Sequence, residues 1–121
     1  MFLMGSLPDI EAQQTSPPAS TQTLKETLAQ LESQGDYPAM ISQLDSWLAT
    51  HPDDSNAYLR LGEAHHHNGN DRLAAENWKK SIIHHANKLQ GYHRVVSRCR
   101  QAELYAFGIQ FILEGRKLIK G

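Results

Sequence analysis

Residues 55–86 read SNAYLRLGEAHHHNGNDRLAAENWKKSIIHHA, and this stretch decides the fold. Asn68-Gly69-Asn70 is a turn signal set between two runs whose apolar residues recur at helical spacing. The first run carries Tyr58, Leu61, Gly62, Ala64 and His65. The second carries Leu73, Ala74, Trp78, Ser81, Ile82 and Ile83. Gly62 against Ala74 lets two helix backbones approach closely. Upstream, residues 28–52, LAQLESQGDYPAMISQLDSWLATHP, repeat the phrase, and Gly35 stands thirty-four residues before Gly69. A repeat at this interval marks an array of helix–turn–helix units. One such unit cannot bury its apolar face alone, so about three must stack.

Working outward, the first helix is expected from Leu24 through Leu28 and Leu31, with Thr23 as N-cap and Glu26 completing a capping box. Gly35-Asp36 ends it. Pro38 suits the first turn of a second helix, which carries Met40, Ile41, Leu44, Trp47 and Leu48 and stops at His51-Pro52. Asp53, Asp54 and Ser55 supply capping residues for a third. From Leu89 to Leu118 there is neither proline nor Asn-Gly. Tyr92 lies thirty-four residues after Tyr58, and Gly108 thirty-four after Ala74, which predicts a third hairpin. Glu103 replaces the turn glycine, so a single helix of about 45 Å is the alternative. Two glycines inside such a helix would each cost about 1 kcal/mol, which favours the hairpin. Residues 5–22 have linker composition, with Pro8, Pro17 and Pro18. The expected organisation is therefore a flexible segment over 1–20 and one repeat domain over 21–121, with units 21–52, 53–86 and 89–120.

At 121 residues the chain holds at most one domain. Its mean hydropathy of −0.54 is that of a soluble protein. The net charge of −1 conceals an asymmetry: residues 1–57 hold eight acids and one base, residues 58–121 five acids and eleven bases. Such polarity orients a molecule towards a partner or a second copy, or is simply a solvated face at each end. No dense Lys/Arg run points to nucleic acid. Cys99 is the only cysteine and falls in an apolar series, which predicts a buried thiol. The start, MFLMGSLPD, is too short in apolar residues for a secretory core, and no stretch approaches a membrane span. A cytoplasmic protein is the simplest expectation, with a chain truncated after an anchor as the alternative.

The pattern of residues 55–86 resembles the tetratricopeptide repeat. The family's early aromatic falls on Tyr58, its Leu-Gly pair on Leu61 and Gly62, its small residue on Ala74 and its large aromatic on Trp78, with Ser81 at the later small position. His65 stands where the family has Tyr, and Ala86 where it closes with Pro. In residues 21–52, Leu24, Leu28, Leu31, Leu44 and Pro52 fit, while Met40 and Trp47 occupy small-residue positions. The resemblance implies an all-α fold of antiparallel helical hairpins stacked as a short right-handed superhelix. It also implies a concave groove that takes a peptide segment or helix of another protein. Transferred groove positions are Lys25, Ala29 and Glu32, then Asn56, Leu59, Arg60, Glu63 and His66, then Gln90, His93, Arg94, Ser97 and Arg100. Exposed positions on any helix would also be polar. Some members clamp a partner's terminal carboxylate. Lys25 and Arg94 match that pattern and Ala29, Arg60 and Gln90 do not, so the strict clamp is not met. A looser preference for acidic segments through Arg60, Arg94 and Arg100 follows from charge.

Two further readings come from the residues themselves. The last segment carries more apolar surface than one hairpin interface needs, and repeat arrays normally end in a polar cap. Leu104, Phe107, Phe111 and Leu118 are therefore expected to contact a second chain in a homo-oligomer, with the N-terminal tail as the other candidate cover. Among seven histidines, His51, His84, His85 and His93 share one edge of the stack. No carboxylate or thiolate accompanies them, so no metal site is assigned, and a metal- or cofactor-handling accessory is the third reading. Helix C-termini also favour His through the backbone dipole. There is no phosphate loop, nucleophile elbow or catalytic carboxylate pair. The expected role is non-enzymatic protein binding, without cofactor, nucleic acid or membrane span.

Overall fold

The computed structural model describes residues 20–120; of the sequence-based expectations, the flexible segment lies outside them except for Ser20. The described residues form six α-helices and no strand. They are α1 (Thr21–Ser33), α2 (Tyr37–Thr50), α3 (Ser55–His67), α4 (Asp71–His84), α5 (Lys88–Gln101) and α6 (Tyr105–Lys120). Local chemistry sets the boundaries. Ser20, Asp36, Asp54, Asn70 and Asn87 each accept a bond from the backbone N–H three residues on, which satisfies one orphan donor per helix. The expected N-cap Thr23 lies instead inside α1 and donates its N–H to Ser20 Oγ. Serine outcompetes it because the helix already starts at Thr21.

Three turns close the helix pairs in one way. Gly35, Gly69 and Glu103, spaced by thirty-four, all adopt positive φ (69°, 86° and 60°). After each, a backbone N–H reaches a carbonyl five residues back: Asp36 to Leu31 at 2.9 Å, Asn70 to His65 at 2.8 Å and Leu104 to Cys99 at 2.8 Å. These are Schellman-type caps. The third turn therefore divides residues 88–120 into two helices although Glu103 pays the left-handed cost that glycine avoids.

Antiparallel packing follows from where side chains meet. Ser55 at the start of α3 donates from Oγ to the Ser81 carbonyl near the end of α4, at 2.7 Å. At mid-helix a Cβ on Gly62 would stand 2.4 Å from the Trp78 indole and 3.0 Å from the Ala74 carbonyl oxygen, so only glycine admits this approach. In the last pair, Gly108 faces Cys99 and Gly115 faces Tyr92. Tyr37 at the start of α2 stacks on His67 at the end of α3.

Two apolar clusters share α3. Leu24, Leu28, Met40, Leu44, Trp47, Leu48, Ala57, Leu61 and Ala64 join α1, α2 and α3. Leu59, Ala74, Trp78, Ile82, Val95, Cys99 and Phe111 join α3 to the helices that follow. Two corrections come with the second cluster. Phe111 is a core residue and is not available to a second chain, and Leu104 and Phe107 are half-buried against the same cluster. Leu118 alone of the four expected contact residues is exposed. Cys99 is buried as expected, and burial pushes its thiol up to about 11. No helix among the described residues is long and apolar enough to cross a membrane.

Candidate functional site

Alternate helices α1, α3 and α5 line one side of the molecule, where two neighbouring clefts share Arg98. One, of about 300 Å³, has a floor of Leu24, Leu28, Leu44, Ala57 and Leu59. Its rim carries Lys25, Asn56, Arg60, Arg94 and Arg98. The lone carboxylate lining it, Asp54, is already engaged: it accepts from Trp47 Nε1 at 2.8 Å and caps α3 through the Ala57 N–H. The other cleft, of about 530 Å³, is lined by Glu32, Glu63, His66, His67, Trp78, Arg98, Gln101 and Ala102.

Helical spacing explains the rim. Asn56, Arg60 and Glu63 lie one turn apart along α3, and Arg94, Arg98 and Gln101 do the same along α5. An ion-pair ladder connects them. Arg60 approaches Glu32 at 3.9 Å and Glu63 at 3.6 Å, and Arg98 Nε donates to Glu63 Oε2. Arg94 donates to the Asn56 side-chain oxygen. Among the described residues no carboxylate forms an ion pair with Lys25 or Arg94, so two cations face the first cleft without a salt-bridge partner. His66 Nδ1 lies 2.7 Å from an Asp71 carboxylate oxygen, which fixes the ring at the edge of the second cleft.

The expected groove residues divide by which side of their helix they occupy. Lys25, Asn56, Arg60, Glu63, His66 and Arg94 line the clefts, as does Glu32. Leu59 reaches only the apolar floor: it is 1% exposed and packs against Val95 and Trp78 in the second core cluster. Gln90, His93, Ser97 and Arg100 do not line either cleft. His93 and Arg100 instead line hollows between α5 and α6. Each helix of this row shows one side to its predecessor and one to its successor, and α5 has no successor among the described residues. Arg98 and Gln101 were missed; their signal is their position four and seven residues after Arg94.

The histidine edge does not converge. His51 stacks on Trp47 at 3.7 Å and its Nδ1 is 2.9 Å from Thr50 Oγ1. His84 stacks on Tyr58 and lies 3.6 Å from Asp53. His85 Nδ1 accepts from the Asn87 N–H. Among the described residues no group of three or more His, Cys, Asp or Glu side chains could hold a metal ion. Comparison with family models, with curated proteins and with solved structures returned no match in any of the three.

Proposed function

We propose that this chain is a tetratricopeptide-type array that binds an acidic, leucine-bearing segment of another protein without catalysing a reaction. The observation that carries this reading is the cleft of about 300 Å³, in which Lys25, Arg60, Arg94 and Arg98 surround a floor of leucines. Acidic side chains would meet the rim through charge-assisted hydrogen bonds, and alternate apolar side chains would cover the floor. The recurrence of one turn geometry at Gly35, Gly69 and Glu103 supports the repeat organisation.

Fluorescence anisotropy with short labelled peptides tests this. Peptides alternating Glu and Leu should bind, and affinity should fall as salt is raised, because an exposed ionic rim is screened. Peptides alternating Lys and Leu should not bind. Equal affinity for both series, or no dependence on salt, contradicts the reading.

A further inference from the structure

The outer face of the last hairpin is apolar and has no helix stacked on it among the described residues. Two hollows indent it. One, of about 260 Å³, lies between α5 and the C-terminal half of α6, where Leu89, His93, Val96, Ile112 and Ile119 meet Arg116. The other, of about 240 Å³, lies at the opposite end, where Tyr105 and Ile109 meet Arg100; Val96 and Ile112 wall both. Tyr105, Ile109, Ile112, Arg116 and Ile119 follow one another at spacings of four and three, a continuous seam along one helix. No carboxylate lines either hollow.

Charge and shape select the occupant. A second copy seated on the same face would set arginine against arginine, Arg100 against Arg116 in an antiparallel pairing and each against its own counterpart in a parallel one. Head-to-tail stacking is also disfavoured, because every exposed large apolar residue among those described lies at or beyond Ile83 and α1 carries none. The chain itself holds a segment of the required chemistry. Residues 1–11, MFLMGSLPDIE, combine Met1, Phe2, Leu3, Met4, Leu7 and Ile10 with Asp9 and Glu11, and the first basic side chain after the start is Lys25. The path is short. Thr21 shares the first cleft with Arg94, whose neighbour His93 lines the nearer hollow. Residues 12–20 extended would reach about 30 Å, and residues 2–10, as many again, are long enough to cover the roughly 20 Å from Ile119 to Tyr105 along α6.

We infer that residues 2–11 of this chain seat on the α5–α6 face of the same molecule. Their apolar side chains fill the two hollows, and Asp9 and Glu11 meet Arg116 and His93 at the near end. A tethered segment needs little intrinsic affinity, since a short linker holds it at about millimolar effective concentration.

A nitroxide on the full chain at Met4→Cys tests this. Cys99 is fully buried, so the reagent goes to the new thiol. The expected result is loss of the Ile112 and Ile119 methyl signals by paramagnetic broadening, with Ile41 on α2 unaffected. Adding Phe2→Asp and Leu3→Asp to the same chain should restore both signals. Mixing isotope-labelled chain without nitroxide and nitroxide-labelled chain without isotope should leave every signal intact. The inference is overturned if the single-species sample shows no broadening, or if the doubly substituted segment still broadens. It is equally overturned if the mixed sample broadens, because a second copy's segment would then be the occupant. None of these readouts involves the basic cleft, so the peptide-binding proposal stands or falls separately.

Discussion

The hairpin α3–α4 and the hairpin α5–α6 are built alike and buried differently. Trp78 on α4 is 1% exposed, while Ile112, thirty-four residues later on α6, is 45% exposed. Leu59 on α3 is in the core, and its counterpart His93 on α5 is exposed. The small-residue contacts inside each hairpin are nevertheless retained, since Ala74 and Gly108 are both buried. The turn and the contact within a hairpin are thus local properties of the repeat, whereas the burial of its outer side depends on what is stacked next to it.

The sharpest way to break this comparison is to truncate the matching side chains. Trp78→Ala should lower unfolding free energy by about 3–5 kcal/mol, and Ile112→Ala, in a chain whose N-terminal segment is displaced by Phe2→Asp and Leu3→Asp, by about 0.5 kcal/mol, measured by urea denaturation. Similar losses would mean that the outer face of α6 is covered as fully as that of α4. Next come the glycines. Gly62→Ala should cost about 1–3 kcal/mol, because the new methyl collides with the buried indole of Trp78. Gly108→Ala meets only Cys99 Cβ at 3.3 Å, and its gain in helix propensity of about 1 kcal/mol should leave stability close to unchanged.

The turns give a smaller effect of opposite sign in the two hairpins. Glu103→Gly should raise stability by about 1 kcal/mol, since it relieves a side chain at φ 60°. Gly69→Ala should lower it by a similar amount, about 1 kcal/mol. The smallest effect concerns His65 and Cys99, which occupy matching positions thirty-four residues apart. Burial, opposed by Asp45, holds His65 below its ordinary 6.5. The folded state then binds fewer protons than the unfolded state, so stability falls as pH drops below about 6.5. His65→Gln should flatten that part of the urea-midpoint profile between neutral pH and about pH 5. Cys99 acts in the other direction: its thiol is raised from 9.0 to about 11, so its contribution is lost as pH rises through that interval.

Much of the helical plan was legible because it is written in short-range chemistry. Asn68-Gly69-Asn70, Pro38, Asp54 and the Gly62–Ala74 pair each act within a few residues or across one turn. The same thirty-four-residue interval located Glu103 as a turn despite its unsuitable side chain. The cleft was legible only in part. Lys25, Arg60 and Arg94 line the first cleft, but Arg98 walls both clefts and Leu59 is covered. A helix in an array has two flanks, and periodicity alone does not say which flank a neighbour covers. Phe111 was misjudged for the same reason: it lies on the inner side of α6, one residue from the exposed Ile112.

The row α1, α3, α5 carries the basic cleft proposed to take acidic segments, distinct from the apolar end face. Arginines 94 and 100 stand on α5 on either side of that division. The decisive measurement is anisotropy of the tightest Glu/Leu peptide with Arg94→Glu and Arg100→Glu chains. Arg94→Glu should abolish binding, and Arg100→Glu should leave it intact. Equal binding by the two variants, or loss confined to Arg100→Glu, would contradict the proposal.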